Sequence, residues 1–291
     1  MASARSVLLL GASGSFGPAL ARAFGERVVA RTYLSKPIPG GVRFDATSSS
    51  VDELLAPLAS RPDAALILLG ETRIDACAME PGRTARINVD GVARVARELA
   101  ARGVKPVFFS SDAVFDGTRA FWTEDDAPRP ILTYGRQKLQ AESLIAELRE
   151  PWLIVRLPKL LAGMVDGWLK ELGEAKRILC ATDQFFTPAD EADAARALVA
   201  LVDQDARGLV HLPGPERLSR RALLDAVVAE YRRFTEPQAA IVDCRLGDID
   251  VKEKRPLDAS MRSVRLARLE VPPLRAASAA ARELVKARLK S

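Results

Sequence analysis

Tyr134 and Lys138, in the run Tyr-Gly-Arg-Gln-Lys, stand four residues apart and so share one face of a helix. An unperturbed tyrosine titrates near pH ~10, too weak an acid for work near neutrality, and a cation one turn away stabilises its phenolate. The pair then suits ketone reduction by hydride transfer, in which a proton donor must meet the carbonyl oxygen. Ser110 and Ser111 follow the apolar residues 107–109, and a hydroxyl at that strand end can bond the same oxygen. The spacing alone also fits a surface tyrosine beside a solvated lysine; the upstream hydroxyls and a glycine turn near the start of the chain favour catalysis.

That turn is Gly11-Ala12-Ser13-Gly14-Ser15-Phe16-Gly17, a G-x-x-G-x-x-G pattern after an apolar strand and before an amphipathic helix. One glycine permits the tight turn and another lets backbone approach a pyrophosphate, at a helix N-terminus whose amides favour anions. The end of the second strand selects the dinucleotide. An acidic residue there accepts the ribose hydroxyls of NAD, whereas this chain has Arg31-Thr32 with Lys36 close behind. Cations suit the 2′-phosphate, so NADP(H) is expected over NAD(H). Arg31 as a plain strand-end residue is the alternative. Asp45 either meets the adenine amino group or caps a turn.

These groups need a frame, and the pattern supplies one. Residues 6–10, 28–30, 42–44, 64–69, 107–109, 153–155 and 209–211 read as strands, several fully apolar as buried parallel strands are. Phe16, Leu20 and Phe24, then Val92, Val95 and Leu99, then Ala141, Ile145 and Leu148 recur at helical spacing between them. The alternation predicts an α/β fold, a Rossmann-type doubly wound parallel sheet with helices on both faces. Residues 1–156 are read as the NADP-binding Rossmann domain, with returns from about 188–215. Residues 157–291 are read mainly as a smaller substrate lobe interleaved with the sheet.

The chain has 291 residues, 43 Lys and Arg against 38 Asp and Glu, one His, and a formal charge of +5. A content of 48% hydrophobic and 28% charged residues excludes general disorder and collagen-like architecture. Residues 251–291 carry 11 basic and 4 acidic side chains, so the body is near neutral and the tail is basic. That tail lacks aromatic residues, against the stacking surface expected of a nucleic-acid binder. A solvated helix face and a site for an anionic small molecule are the other readings. Cys77, Cys180 and Cys244 have no metal-binding spacing and fit a reducing compartment; no metal site is expected. No apolar run approaches the ~20 residues of a membrane span. The expectation is a cytoplasmic protein with no membrane or nucleic-acid partner. His211, without a Cys/His cluster around it, is read as structural, and Trp122, Trp152 and Trp168 as packing residues.

The glycine turn with Ser111, Tyr134 and Lys138 resembles the extended short-chain dehydrogenase/reductase family, in particular its dTDP-4-dehydrorhamnose reductase branch. Pro81 to Asn88 with Gly91 is similar to that branch's P-x6-N-x2-G helix, and Ser110-Ser111-Asp112-Ala113-Val114-Phe115-Asp116-Gly117 to its S-T-D-Y-V-F-D-G. Glu124, Asp126 and Pro130 before Tyr134-Gly135, Asp183-Gln184 with Pro188, Gly208 to His211, and Arg255-Pro256 with Ser260 match further segments in order.

The resemblance implies that Ser111 takes the place of a catalytic threonine, that Tyr134 donates the proton, and that Lys138 supports it while holding the nicotinamide ribose. It implies cofactor contacts at Gly11, Ser13, Gly14, Ser15, Phe16, Gly17, Leu69, Gly70 and Ser110, and substrate contacts at Asp112, Val114, Phe115, Lys159, Gln184 and Arg255. The implied substrate is a small-molecule nucleotide-diphosphate sugar with a keto group at C4; a homodimer is allowed. Departures mark the sugar side. Leu68-Leu69-Gly70 replaces N-A-A, Arg156-Leu157-Pro158-Lys159 replaces R-T-S-W, and Ala113 replaces a tyrosine. Lys159 therefore either meets a carboxylate or phosphate or points to solvent. The alternatives are an epimerase or dehydratase of the same superfamily, and a non-catalytic NADP-binding subunit like the beta subunit of methionine adenosyltransferase.

Overall fold

The computed structural model describes residues 4–290. Its first half alternates β1 (Val7–Leu10), α1 (Gly17–Phe24), β2 (Val28–Tyr33), β3 (Val42–Arg43), α2 (Val51–Leu55) and β4 (Ala64–Ile67). There follow α3 (Ile74–Met79), α4 (Pro81–Ala85), a π turn (Arg86–Gly91), α5 (Val92–Ala101), β5 (Lys105–Ser111), α6 (Thr133–Ala146) and β6 (Leu153–Leu157). The second half holds α7 (Leu161–Glu174), β7 (Arg177–Ala181), β8 (Phe185–Phe186), α8 (Glu191–Asp203), β9 (Gly208–His211), β10 (Leu218–Ser219), α9 (Arg220–Tyr231), β11 (Ala240–Cys244) and α10 (Ala277–Leu289).

Seven parallel strands pair in the order β3-β2-β1-β4-β5-β6-β9, the expected doubly wound sheet. Alternation within the strands sorts the two faces. Val7 and Leu9 of β1 and Leu66 of β4 pack with Phe16, Leu20 and Phe24 and with Leu198 and Leu201 of α8. Leu8 and Leu10, with Ala65 and Ile67, pack instead on Val92, Val95 and Leu99 of α5 and Ile145 of α6. All four residues of β1 and of β4 are fully buried, and each large apolar side chain so placed contributes roughly 1.5–3 kcal/mol. Strand order reverses between β1 and β4, so a crevice opens over their carboxyl ends, where such sheets bind ligands.

Most strand predictions fall within a few residues of the observed limits; the largest difference is at β5. It extends to Ser110 and Ser111 because they pair with Arg156 and Leu157 of β6, which fixes both hydroxyls at the sheet's carboxyl edge. After β6 the chain returns to the sheet with α8 and β9 and also builds a second apolar cluster. There α7, α9 and α10 enclose Trp168, Leu223, Leu224, Val227 and Val285 beside the parallel pair β7 and β11. The basic last helix is thus a packing element: Ala277, Ala280, Ala281 and Val285 are buried, and its small residues let it lie close to α9. No helix among the described residues is long and apolar enough to cross a membrane.

Candidate active site

The glycine turn leaves the end of β1 and is tied to β2 through Thr32, which is fully buried. The Gly11 amide donates to Thr32 Oγ1 at 2.9 Å and the Ala12 amide to the Thr32 carbonyl at 2.8 Å. The three glycines answer different demands. Gly11 has φ +83°, a conformation that favours glycine. A Cβ on Gly17 would lie 2.0 Å from the Ala12 carbonyl oxygen, so α1 can start against the turn only without a side chain. A Cβ on Gly14 would meet only the Gly11 carbonyl oxygen, at 3.4 Å, an ordinary contact. The space over Gly14 is open, as a turn that admits a ligand requires. No side chain caps the start of α1; the Gly17 amide donates to the Gly14 carbonyl at 3.1 Å and Pro18 has no amide hydrogen, so the helix offers an anion its dipole and the amides of the preceding turn. Ser15 is exposed and lines the main cavity, and Ser13 is half-buried. The Phe16 ring, by contrast, packs edge-on to Phe109 at 5.8 Å in the core, so its side chain is unavailable to a cofactor.

Arg31 pairs in register with Leu9, beside the turn, and its Nη2 donates to the Pro39 carbonyl at 2.9 Å. Asp45 takes the capping alternative: its Oδ1 accepts from the Thr47 amide at 2.8 Å and hydroxyl at 2.7 Å, bonds that lower its pKa.

Across the crevice, α6 begins at Thr133, placing Tyr134 in its first turn and Lys138 one turn on, both buried. Ser111 Oγ donates to Asp112 Oδ1 at 2.9 Å and accepts from the Ala113 amide at 3.1 Å, and Ser111 and Tyr134 line the same cavity. Lys138 Nζ donates to the Phe109 carbonyl at 2.9 Å and lies 4.6 Å from the centre of the Phe108 ring and 5.8 Å from that of Tyr134. The expected lowering of the Tyr134 pKa by Lys138 is overturned. Burial, then the charge of Asp112, raises Tyr134 above its usual range, and burial lowers Lys138 to about 8. Desolvation dominates the Tyr134 value, and the ammonium is held on the Phe109 carbonyl, 5.8 Å from the ring centre. At neutral pH the phenol keeps its proton and can donate it.

Behind this pair, the π turn carries Asn88. Its Nδ2 donates to Gln137 Oε1 at 2.8 Å and to the Glu71 carbonyl at 3.0 Å, while Oδ1 accepts from the Glu71 amide at 2.7 Å. Gln137 in turn donates to Thr84 Oγ1 at 2.9 Å. Thr32, Gln137 and the π geometry escape residue-type reasoning, although Asn88 lies in a recognised motif and Gln137 within the Tyr-x3-Lys run. Gly70 has φ +143°, and a Cβ there would sit 2.8 Å from Asn88 Oδ1 and 4.0 Å from Lys138 Nζ. Leu69 is buried among core residues. The Ser110 hydroxyl is buried without a partner in the protein. The open turn and this orphaned hydroxyl fit a dinucleotide lying from α1 to Lys138.

A cavity of about 570 Å³ adjoins the pair, lined by Ser15, Ser111, Asp112, Tyr134, Lys159, Gln184, Glu191 and Arg255 among others. Val114 and Phe115, expected at the substrate, do not line it. Both are fully buried, with Phe115 stacked on Trp122 at 4.7 Å and edge-on to His211, because the turn Asp112–Val114 rotates these apolar side chains into the protein. Asp112 is raised in pKa, chiefly by burial. Burial likewise raises Glu191 to about 7 while both its oxygens accept from the Ala162 amide at the start of α7. His211 is structural: Nδ1 meets the Arg262 carbonyl at 3.2 Å, burial lowers its pKa, and Nε2 faces Arg156, itself paired to Glu142 at 2.6 Å.

Comparison with known proteins gives a family and a fold. The family model described as RmlD substrate binding domain matches residues 5–289. The dTDP-4-dehydrorhamnose reductase of Sinorhizobium fredii is 28% identical over 222 residues, 71% of this chain and 74% of that protein. Methionine adenosyltransferase 2 subunit beta of Bos taurus is 26% identical over 289 residues, 92% of this chain and 83% of that protein. The crystal structure of dTDP-4-dehydrorhamnose reductase from Bacillus anthracis in complex with NADP has the same fold, with a TM-score of 0.80 at 20% identity, covering 97% of this chain and 99% of that one.

Proposed function

The chain belongs to the RmlD substrate binding domain family, and with it to the NAD(P)-dependent oxidoreductases; from that premise we propose that it reduces a 4-keto nucleotide-diphosphate sugar with NADPH. The observation that carries the reading is that Tyr134 and Ser111, the latter hydrogen-bonded to Asp112, line one cavity beside an uncovered glycine turn. In the complex of similar fold NADP is the bound dinucleotide. In this chain the uncapped start of α1 and the open space over Gly14 suit its diphosphate, Arg31 its 2′-phosphate, and Ser110, Gly70 and Lys138 the nicotinamide end.

Bound NADPH supplies a hydride to the carbonyl carbon. The chain supplies the rest. Ser111 Oγ, held by the Ala113 amide, orients the carbonyl oxygen against Tyr134. Tyr134, kept protonated by burial, donates its proton to that oxygen as charge develops there, a contribution of roughly 10²–10⁴-fold in rate. Lys138 steadies the resulting phenolate, whose formation the buried site otherwise opposes. Arg220 and Arg255, both on the cavity wall, suit the substrate diphosphate, and Gln184 its polar edge. Asp112 orders Ser111.

Tyr134→Phe is the direct test. We expect NADPH binding, read by fluorescence titration, within about twofold of the parent, and turnover reduced by at least ~10²-fold. Parental turnover in the variant would remove Tyr134 from the reaction. A second reading, a non-catalytic NADP-binding subunit, draws on the likeness to the methionine adenosyltransferase subunit across nearly the whole chain. Co-purification with a partner enzyme, and no NADPH oxidation across a panel of 4-keto nucleotide sugars, would establish that reading instead.

A further inference from the structure

The acids and cations of the cavity face different things. Asp112 accepts from the Ser111 hydroxyl at 2.9 Å, and Glu191 accepts from the Ala162 amide at 3.0 Å. Their charge is answered by protein donors. The cations are answered less fully, with Asp75 on one side of Arg255 and Asp112 near Lys159. Arg255 holds Asp75 at 2.6 Å through Nη2, but its Nη1 is buried with no partner. The Arg220 guanidinium lies 5.1 Å from the Trp168 ring, and no acid pairs with it among the described residues. Lys159 has Asp112, Arg220 and Arg255 as its charged neighbours, and among the described residues its ammonium makes no hydrogen bond or ion pair.

A substrate diphosphate answers the two arginines and leaves Lys159 over. Its place in the chain puts it between those arginines and the Tyr134 side of the cavity. Ser111 pairs in register with Leu157, two residues before Lys159, and Lys159 lines the cavity together with Ser111, Asp112 and Tyr134, so its backbone stands beside the reacting groups. A neutral sugar filling that space would strip water from an ammonium and return hydroxyl acceptors but no counter-charge, an unfavourable exchange. A monoanion would return one. We propose that the ring of the substrate carries a carboxylate, as in a nucleotide-linked uronic acid, and that Lys159 binds it. The inference rests on the nucleotide-sugar reading above and specifies the substrate class of the same site.

The test is calorimetric titration, with NADP⁺ saturating, of two matched pairs: UDP-glucose with UDP-glucuronic acid, and dTDP-glucose with dTDP-glucuronic acid. The parent is expected to bind the uronate of the accepted pair at least about tenfold more tightly, the worth of one charge-assisted hydrogen bond. In Lys159→Met the two members should fall within about twofold, and Lys159→Arg should recover most of the preference. Equal affinities in the parent, or a preference that survives in Lys159→Met, overturn the carboxylate while leaving the nucleotide-sugar reading intact. No binding by any of the four, in protein that still binds NADP⁺, defeats that broader reading and the carboxylate with it.

Discussion

Lys138 is held where its charge is disfavoured. Its ammonium has one protein acceptor, the Phe109 carbonyl, and otherwise faces aromatic rings, and burial lowers its pKa to about 8 from an ordinary value near 10.5. A lysine whose folded pKa is depressed lowers stability fully below that value, and the penalty fades as pH rises from about 8 toward 10.5. Lys138→Met should therefore be more stable than the parent at pH 7, by on the order of 1–2 kcal/mol, with the gap closing by about pH 10.5. Turnover should fall steeply in the same variant. Urea unfolding of the cofactor-free protein at pH 7 and pH 10 reads the first effect, and a variant less stable than the parent at pH 7 would show that Lys138 holds the fold. In the parent, kcat should decline above pH ~8 as the ammonium that steadies the phenolate loses its proton. That burial and Asp112 would set the Tyr134 pKa could not be read from spacing. Four residues on a helix fix a shared face, but neither the depth of burial nor the carbonyl that captures the ammonium.

At the scale of elements, the glycine turn separates folding from binding. Gly17→Ala places a methyl 2.0 Å from the Ala12 carbonyl oxygen, so α1 must move off the sheet; we expect a loss of about 2–3 kcal/mol together with loss of NADPH affinity. Gly14→Ala meets ordinary contact only, and should leave the melting temperature near that of the parent while weakening NADPH binding by tenfold or more, because the methyl occupies the space over the turn. Differential scanning fluorimetry with and without NADPH separates the two. If Gly14→Ala keeps full affinity, the dinucleotide does not cross that glycine. The turn and strands β1, β4 and β6 were legible because buried parallel strands are continuously apolar and the glycines fall at one strand end. Strands β7 and β11 were not, since their pairing leaves half their residues exposed and interrupts the pattern with Arg177 and Asp243. Val114 and Phe115 were misplaced for a related reason: a motif position says that a turn is near the site, not which of its side chains faces it.

Across the whole molecule, the charge imbalance of the sequence becomes a fastening. Several cations of the basic tail meet acids of the earlier chain: Arg255 with Asp75, Arg265 with Asp125 at 3.4 Å, Lys286 with Glu230 at 3.9 Å, and Arg288 with Asp166 at 2.8 Å. Arg275 is the most connected. Just before α10, its Nη2 bonds Asp190 at 2.9 Å, its backbone amide and Nε bond Asp193 at 2.8 and 3.0 Å, and Nη1 meets Glu283. Asp190 caps α8, and Asp193 is almost fully buried, so one guanidinium joins the helix that covers the sheet to the helix that completes the second cluster. Removing it strands a buried carboxylate, although Arg196 still reaches Asp193 and Arg275 itself is 39% exposed. With solvent screening part of the effect, Arg275→Ala should cost about 1–2 kcal/mol at pH 7. Asp193 sits below its ordinary pKa in the folded protein, with Arg275 the main lowering influence against burial. Its contribution is present above pH ~3.8 and is lost as pH falls through the depressed value. The deficit of Arg275→Ala should accordingly be full at pH 7 and shrink below pH 4. Guanidinium unfolding curves at the two pH values measure both, and a deficit that is the same at each would mean that Arg275 acts through packing of its stem and not through its charge.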